Sequence, residues 1–558
     1  MKDLDKKVIE KRNLDNNFFN PLIDLNLPHD PSFLLNIKEG YKVFLNYIAD
    51  QDKRISIYAD PDIDGIMATS IMYQWIKNIH SNVKIIHHQR NKGHGVVPSR
   101  VNDTDLLIIV DSSSNSISEV KEILSSKKAK DIIIIDHHET NNVMVQNGYL
   151  EENDSNGNDV LTPNYEYEAE INQVDNVVLI NPHQPNDDYP NKNVSGALLT
   201  LKFLEFCENF IDNKYTHKLV DLAAISIISD VMSVTEMENR YYYYKGTSLI
   251  QNLGLATLFN VMGLDVVNIK SDDIGFKLNK ALNSLLRLQD IRTIFKLILE
   301  YKSEDDINLV DKILQAVKQR ESVEENIISS ITVLNDSKGV IVAQNNYTDI
   351  VSVSNNFNGV IASKMADKEH KNIIIVNEQL QGSARAFNNY NFKDYVVESG
   401  CADGAGHQGA FGVKINDLKK FSQYIIDHPP TFEIDDEYEF ELEFKDLSKK
   451  FFMEVEELQH LIGNGFGRIK FLLKDVEIGE VKETSGGNTY YILNGNKSYI
   501  RFLDKSIRED KLKQGNICDM YFTMRVNNFF GKDYYECECY NIDVIDDKIN
   551  DDWGFLDE

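Results

Sequence analysis

The sequence lacks any apolar run long enough to span a bilayer, and no apolar segment follows its charged first residues, Met1–Lys7. Cysteine is scarce: five are spread over 558 residues, and only Cys537 and Cys539 are close together. Without a second Cys or His pair at suitable spacing, neither a disulfide framework nor a structural zinc site is indicated. We therefore expect a cytoplasmic protein with reduced, half-buried thiols.

Basic residues are also few for a protein that binds a polyanion. The chain has 59 Lys and Arg against 88 Asp and Glu, which gives a formal net charge of −29. If the substrate is a nucleic acid, its attraction must be local, from bound cations and a few Arg and Lys in a groove. No internal repeat is present, and the length predicts two to four domains.

The first half of the chain alternates short apolar runs with helical segments. The predicted strands are residues 54–60, 83–87, 106–110 and 132–135. Such alternation predicts parallel βαβ units in a doubly wound sheet. The residues that follow these strands should therefore meet at one edge of the sheet.

A dense carboxylate cluster, Asp60-Pro61-Asp62-Ile63-Asp64-Gly65, follows the first strand. Alternate positions at a strand end project alternately, so Asp62 and Asp64 can reach two neighbouring cations, while Gly65 allows a sharp turn. Calcium-binding loops share this pattern, but they need a Glu at the twelfth position, which counted from Asp60 is Ile71. The cluster therefore predicts a site for another cation.

Further candidate ligands end three other apolar runs. Asp111 follows the third strand, Asp136-His137-His138 follows the fourth, and Asp230 ends the run 223–229. Taken singly, an Asp in such a position is more often a helix cap than a metal ligand. Together, however, they predict convergence on one sheet edge, and mixed carboxylate and imidazole ligation favours manganese over magnesium or calcium.

These segments, in this order, resemble the DHH phosphoesterases, and within them the RecJ-type single-strand exonucleases. The resemblance covers nearly the whole chain. Beyond the four segments above, it includes motifs around Arg90, Gly93-His94-Gly95, Asn181-Pro182, Val194-Ser195-Gly196, Glu238-Asn239-Arg240, Asn283, Arg287, Gly382-Ser383-Ala384-Arg385, Gly404-Ala405-Gly406-His407 and Gly463-Asn464-Gly465.

The resemblance implies a site for two manganese ions, with magnesium as the alternative. One ion would be held by Asp62 and the other by Asp64, His137 and Asp230, with Asp111 bridging them. Two such ions would activate a water for in-line attack on phosphorus and stabilise the leaving 3′-oxygen.

The catalytic residues that the resemblance implies are Asp136, His137 and His138. Asp136 would order the imidazoles or touch a metal, and His138 would orient the phosphate or assist protonation. Tyr58 departs from the pattern, because related pyrophosphatases have a histidine ligand there. The first metal would then hold fewer protein ligands and more water.

A second set of residues is implied to bind the substrate phosphate. Arg385 would do so through its bidentate fork. The whole set comes from both α/β segments of the chain, and its members are Ser383, Arg385, His407, Arg287 and Arg90.

The fold that we predict is α/β, with a parallel-sheet DHH domain, a smaller α/β DHH-associated domain and a C-terminal OB-like β-barrel. A long polar helix joins the first two domains, and an irregular acidic insertion at 139–176 forms a surface segment or a partner-docking loop. The predicted boundaries are 1–303 for the DHH domain, 304–330 for the linking helix, 331–428 for the associated domain, 431–546 for the barrel and 547–558 for an acidic tail.

The function that the resemblance implies is removal of 5′-mononucleotides from single-stranded DNA in the 5′→3′ direction, in DNA repair, recombination or replication. We expect a monomer whose acidic insertion or tail could recruit a single-strand-binding or replication protein. One alternative is a phosphodiesterase for short oligoribonucleotides or cyclic dinucleotides, although such substrates do not need the barrel. The other is an inactive replication scaffold, against which the intact ligand set argues.

Overall fold

The computed structural model describes residues 3–89, 94–153, 159–347, 357–388, 390–432, 435–484, 487–495, 499–506, 512–529 and 532–546. Arg90 and the predicted acidic tail 547–558 lie outside these residues. The chain divides into two compact units. The N-terminal unit contains Asp15–Lys318 and Leu461–Phe466, and the C-terminal unit contains Met1–Leu14, Gln319–His460 and Gly467–Glu558.

A five-stranded parallel sheet in the order β2-β1-β3-β4-β7 forms the centre of the N-terminal unit. Its middle strands are buried on both faces, as their uninterrupted β-branched and leucine runs predict. The predicted parallel sheet is therefore confirmed. Its strands are β1 (Ile55–Ala59), β2 (Val83–His87), β3 (Leu106–Val110), β4 (Asp131–Ile135) and β7 (Val177–Ile180).

Helices connect these strands and continue the unit after the sheet. The helix between β1 and β2 is buried along most of its length and begins directly after the carboxylate cluster. The helices of the unit are Ile37–Ile48, Ile63–Lys77, Ile117–Ser125, Gly196–Cys207, Val220–Ser229, Met237–Thr247, Leu253–Val261, Asn279–Arg287 and Ile291–Leu299, with a π-helix at Asp273–Leu278. The long helix Ile307–Ser330 was predicted, and the division between the two units falls within it.

The acidic insertion is more regular than we expected from its sequence. Strands β5 (Asn142–Asn153) and β6 (Asp159–Ala169) pair as an antiparallel two-stranded sheet. The sequence of this segment shows little periodicity because cross-strand pairing supplies order that periodicity along one strand does not reveal. Three large side chains of this hairpin, Met144, Tyr165 and Tyr167, are more than half exposed.

The first sheet of the C-terminal unit has six strands in the order β12-β13-β11-β10-β9-β8. Only β9 and β10 are parallel, and the remaining pairs are antiparallel. The helices Asn358–Glu369, Phe392–Glu398 and Leu418–Asp427 accompany it. The strands are β8 (Thr332–Ser337), β9 (Val340–Gln344), β10 (Asn372–Val376), β11 (Gln381–Arg385), β12 (Ala402–Gly406) and β13 (Ala410–Ile415).

The β-rich end of the chain forms the predicted barrel. Five strands close on themselves because β15 pairs with both β16 and β18, and β14 adds to β15 as a sixth strand. Phe502 and Phe522 are fully buried in the barrel, whereas Tyr521 is only half-buried, as the alternation of adjacent residues predicts. The strands are β14 (Phe440–Leu442), β15 (Lys470–Glu483), β16 (Thr489–Leu493), β17 (Ile500–Asp504), β18 (Ile517–Phe529) and β19 (Lys532–Asp546), with one helix at Lys449–Leu458.

Among the described residues, no helix is both long and apolar enough to cross a lipid bilayer. All five cysteines are free thiols, and only Cys401 is not fully buried.

Candidate metal centre

The carboxylate cluster after β1 forms a tight turn into the helix Ile63–Lys77. Asp62 caps this helix, and its Oδ1 accepts a hydrogen bond from the Gly65 N–H at 2.9 Å. A Cβ on Gly65 would lie 2.6 Å from the Asp60 carbonyl oxygen, so only glycine fits this turn. The sharp turn that the sequence predicts at Gly65 is therefore confirmed.

Asp64 is buried and held by three donors from two other helices. Its Oδ2 accepts from the Gly196 N–H at 2.7 Å, and its Oδ1 accepts from the Ala197 N–H at 2.8 Å and the Ser226 hydroxyl at 2.5 Å. The first two donors are backbone groups at the start of the helix Gly196–Cys207, where the helix dipole favours a negative charge. These contacts fix the carboxylate with its Oδ2 3.7 Å from His137 Nε2.

Asp111 occupies a strained position at the end of β3. Its φ of 62° is left-handed, and its N–H donates to the Ile135 carbonyl at 2.8 Å. Gly196 packs directly against it, since a Cβ there would lie 2.5 Å from Asp111 Oδ1. The strained backbone and the missing Cβ together bring this carboxylate to within 3.1 Å of His137 Nε2.

His137 is the point on which the separate segments converge. Its Nε2 lies 3.1 Å from Asp111 Oδ1, 3.4 Å from Asp230 Oδ2 and 3.7 Å from Asp64 Oδ2. His137 Nε2, Asp111 Oδ1 and Asp230 Oδ2 are all buried, and none of the three has a hydrogen-bond partner. Buried polar atoms are rarely left in this state, so the arrangement fits a cation that takes all three as ligands.

The electrostatics of the group agree with this interpretation. Burial, and then the charges of Asp64 and Asp62, raise the pKa of Asp111 well above its usual value and the pKa of Asp230 to about 8. Burial lowers the pKa of His137, which keeps the imidazole neutral and its nitrogen lone pair available. A divalent cation would relieve the repulsion among the carboxylates and use the neutral imidazole as a ligand.

Asp136 and His138 form a pair beside this centre. Asp136 is buried and accepts from the Ser114 and His137 N–H groups at 2.9 and 2.8 Å and from His138 Nδ1 at 2.7 Å. Burial alone would raise the pKa of Asp136, but the hydrogen bond and charge of His138 lower it overall. The same hydrogen bond raises the pKa of His138 to about 9, and this side chain is 52% exposed. Asp136 therefore orients His138 and holds it protonated at neutral pH.

The ligand atoms fall into three groups whose members lie within 4.8 Å of one another. They are Asp64, His137 and Asp230; Asp111, His137 and His138; and Asp60, Asp62 and His94. Sequence reasoning placed His94 in a motif but gave it no role, and it gave none to Ser226 or Ala197. The glycines on both sides of His94 in the sequence were the one available signal, because glycine is favoured where a loop needs an unusual backbone conformation.

The predicted phosphate-binding residues lie in both units. Ser383 and Arg385 occupy alternate positions of β11, and Arg385 is paired with Ala410 of β13. His407 is exposed in the turn before Ala410. In the N-terminal unit, Arg287 is half-buried at the end of the helix Asn279–Arg287. With Arg90 outside the described residues, the role of all five stays a prediction.

Comparison with known proteins places these residues in a family context. Residues 54–227 match the model of the DHH family, N-terminal domain. A Bacillus subtilis (strain 168) protein, provisionally named an SPbeta prophage-derived single-strand DNA-specific exonuclease, YorK, is 22% identical over 93% of this chain and 92% of its own length. The single-stranded-DNA-specific exonuclease RecJ of the same strain is 25% identical over 68% of this chain, which spans 45% of that protein.

Solved structures agree with the sequence matches. The crystal structure of RecJ from Thermus thermophilus in complex with Mn²⁺ aligns with a TM-score of 0.69 at 18% sequence identity. The alignment covers 96% of this chain and 77% of the RecJ chain. The corresponding Mg²⁺ complex matches 97% of this chain and 77% of its own with a TM-score of 0.65 at 17% identity. Residues 54–227 thus match the DHH family, N-terminal domain, and the chain has the fold seen in the RecJ structures.

Proposed function

We propose that this chain is a metal-dependent exonuclease that degrades single-stranded DNA from its 5′ end to 5′-mononucleotides. The observation that carries the proposal is the convergence of His137 Nε2, Asp111 Oδ1 and Asp230 Oδ2, three buried polar atoms without partners at the edge of a DHH-family sheet. Because a fold alone does not define a function, the proposal depends on this site and uses the RecJ relatives for its substrate.

Two divalent cations, Mn²⁺ or Mg²⁺, would be held here. Asp64, His137 and Asp230 would hold one, Asp62 would hold the other, and Asp111 would bridge them. When bound, such ions supply Lewis acidity and lower the pKa of water. The hydrogen bonds from Gly196, Ala197 and Ser226 hold the Asp64 carboxylate in place, so that this ligand needs no rearrangement when a cation arrives.

His138 would act on the substrate phosphate. Its Nδ1 donates to Asp136, which leaves the Nε2–H of the protonated ring to donate to a phosphate oxygen or to protonate the leaving 3′-oxygen. Its exposure of 52% is consistent with a group that meets substrate rather than one buried for stability. Ser383, Arg385, His407, Arg287 and Arg90 are the proposed contacts to the remaining phosphate oxygens.

The barrel would hold the strand beyond the reacting phosphate. A cleft of about 320 Å³ on the barrel includes Tyr490, Arg501 and Tyr534, and the Arg501 guanidinium lies 4.1 Å from the Tyr534 ring centre. Aromatic rings and arginine planes are the groups on which single-stranded bases stack. We place this reaction in the cytoplasm, expect a monomer and retain the acidic insertion and tail as possible sites for a single-strand-binding or replication protein.

The test compares substrates with purified protein and Mn²⁺. Single-stranded DNA labelled at the 5′ or the 3′ end, RNA of the same sequence and a cyclic dinucleotide are digested in parallel. We expect labelled mononucleotide to appear first from the 5′-labelled DNA, with no release in the presence of a chelator. Preference for the cyclic dinucleotide or for RNA dinucleotides would favour the alternative phosphodiesterase, and no hydrolysis of any substrate would favour a scaffold.

A further inference from the structure

We propose that His94 supplies an imidazole ligand to the cation that Asp62 holds. His94 Nδ1 lies 2.6 Å from Asp60 Oδ2 and 4.0 Å from Asp62 Oδ2. The inference rests on the proposed function only in that both require a cation at Asp62. It assigns a nitrogen ligand to the first cation, for which the sequence predicted fewer protein ligands and more water.

The loop that carries His94 is fixed at three successive backbone groups. The Gly95 N–H donates to Asp60 Oδ1 at 3.1 Å, the Val96 N–H to the Ser113 hydroxyl at 2.9 Å and the Val97 N–H to the Tyr58 hydroxyl at 3.0 Å. Gly95 has a φ of 93°, a conformation that other residues rarely adopt. The imidazole is therefore held at the cluster by its backbone as well as by Asp60.

Tyr58 does not serve as a metal ligand in place of a histidine, because its side chain is engaged in other contacts. Its side chain is fully buried, and its hydroxyl is 3.0 Å from His88 Nδ1 while accepting from the Val97 N–H. The hydroxyl thus belongs to the packing that fixes the loop. Among the described residues, the imidazole grouped with Asp60 and Asp62 is that of His94.

A neighbouring carboxylate gives independent support. Asp111 is 2% exposed, and its Oδ1 has no hydrogen-bond partner. A buried carboxylate oxygen without a partner is suited to bridging the two proposed cations. Each cation would then have one imidazole and a set of carboxylates, the mixed ligation that suits Mn²⁺.

The experiment measures Mn²⁺ binding rather than catalysis. Calorimetric titration of the full chain is combined with pulsed EPR detection of ¹⁴N coupled to Mn²⁺, for wild type, His94→Ala and His94→Gln. His217→Ala is the matched control, because His217 is an exposed histidine of the same unit. Circular dichroism establishes that each variant is folded.

We expect wild type to bind two Mn²⁺ per chain, with nitrogen coupling at both. In His94→Ala and His94→Gln, one site should weaken at least tenfold and lose its nitrogen signal, while His217→Ala behaves as wild type. Two sites of unchanged affinity and unchanged nitrogen coupling in folded His94→Ala would overturn the assignment and leave the proposed function standing. If His94→Ala loses one Mn²⁺ site but the wild-type protein does not degrade DNA, the assignment of His94 is supported and the proposed function is overturned.

Discussion

Adding one methyl group at Gly196 should disable the metal centre without unfolding the protein. A Cβ there would lie 2.5 Å from Asp111 Oδ1, whereas ordinary van der Waals contact begins at 3.4 Å, so the carboxylate must retreat by about 0.9 Å. Asp111 has little freedom to do so, because its backbone is left-handed and its N–H is bonded to Ile135. Displacing a catalytic group by about 1 Å typically costs about 10²-fold in rate.

The assay is Mn²⁺-dependent release of mononucleotides by Gly196→Ala, together with calorimetric Mn²⁺ binding and thermal unfolding. We expect turnover to fall by about 10²-fold and Mn²⁺ affinity to fall with it. The overpacking should cost about 1–3 kcal/mol of stability, which a protein of this size tolerates. Gly275→Ala is the matched control, since a Cβ at Gly275 would meet only Ile228 Cγ2 at 3.7 Å, an ordinary contact.

A folded Gly196→Ala protein with wild-type turnover and Mn²⁺ affinity would be the opposite of the expected result. That result would mean that Asp111 does not need its observed position. Equal losses in Gly196→Ala and Gly275→Ala would instead show that the effect is not specific to the site.

Three further predictions concern charge, pH and the barrel. Asp111→Asn should raise the melting temperature of the metal-free protein at neutral pH, because it removes a carboxyl group whose pKa is raised on folding by burial and by the charges of Asp64 and Asp62, and it should weaken Mn²⁺ binding; a lower melting temperature would contradict this. In metal-free protein, the pKa of His138 is raised on folding to about 9, so the stability that the protein gains from its contact with Asp136 should be fully present below pH 6.5 and lost as the pH rises through about 9. The melting temperatures of wild type and His138→Ala should therefore converge toward pH 10. Tyr534→Ala should weaken binding of long single-stranded DNA about tenfold in fluorescence anisotropy, with little effect on dinucleotide cleavage, and equal loss on both would argue against the barrel as a guide.

Much of the sheet could be predicted because its strands are short runs of buried aliphatic residues. The run Ile132–Ile135 lies within β4, and the Asp-His-His that follows it lies at the strand end, as predicted. The hairpin of β5 and β6 could not be predicted in this way, because it depends on pairing between two polar strands. The π-helix Asp273–Leu278 was missed as well, since its hydrogen-bond pattern has no distinct sequence periodicity.

Within the site, sequence reasoning identified the charged groups but not what holds them. Asp64 depends on two backbone donors and Ser226, contributed by segments more than 130 residues away in the chain. The left-handed φ of Asp111 is likewise set by its surroundings, because non-glycine residues rarely adopt it by preference. Such constraints arise from tertiary structure, and no local pattern encodes them.

We propose that the centre around His137 hydrolyses single-stranded DNA from the 5′ end. The most direct measurement is the rate at which 5′-labelled mononucleotide is released from single-stranded DNA with Mn²⁺, by wild type and by His137→Ala of verified fold. We expect release by wild type and a loss of at least about 10²-fold in His137→Ala. A wild-type rate in folded His137→Ala, or release from the 3′ end first, would contradict it.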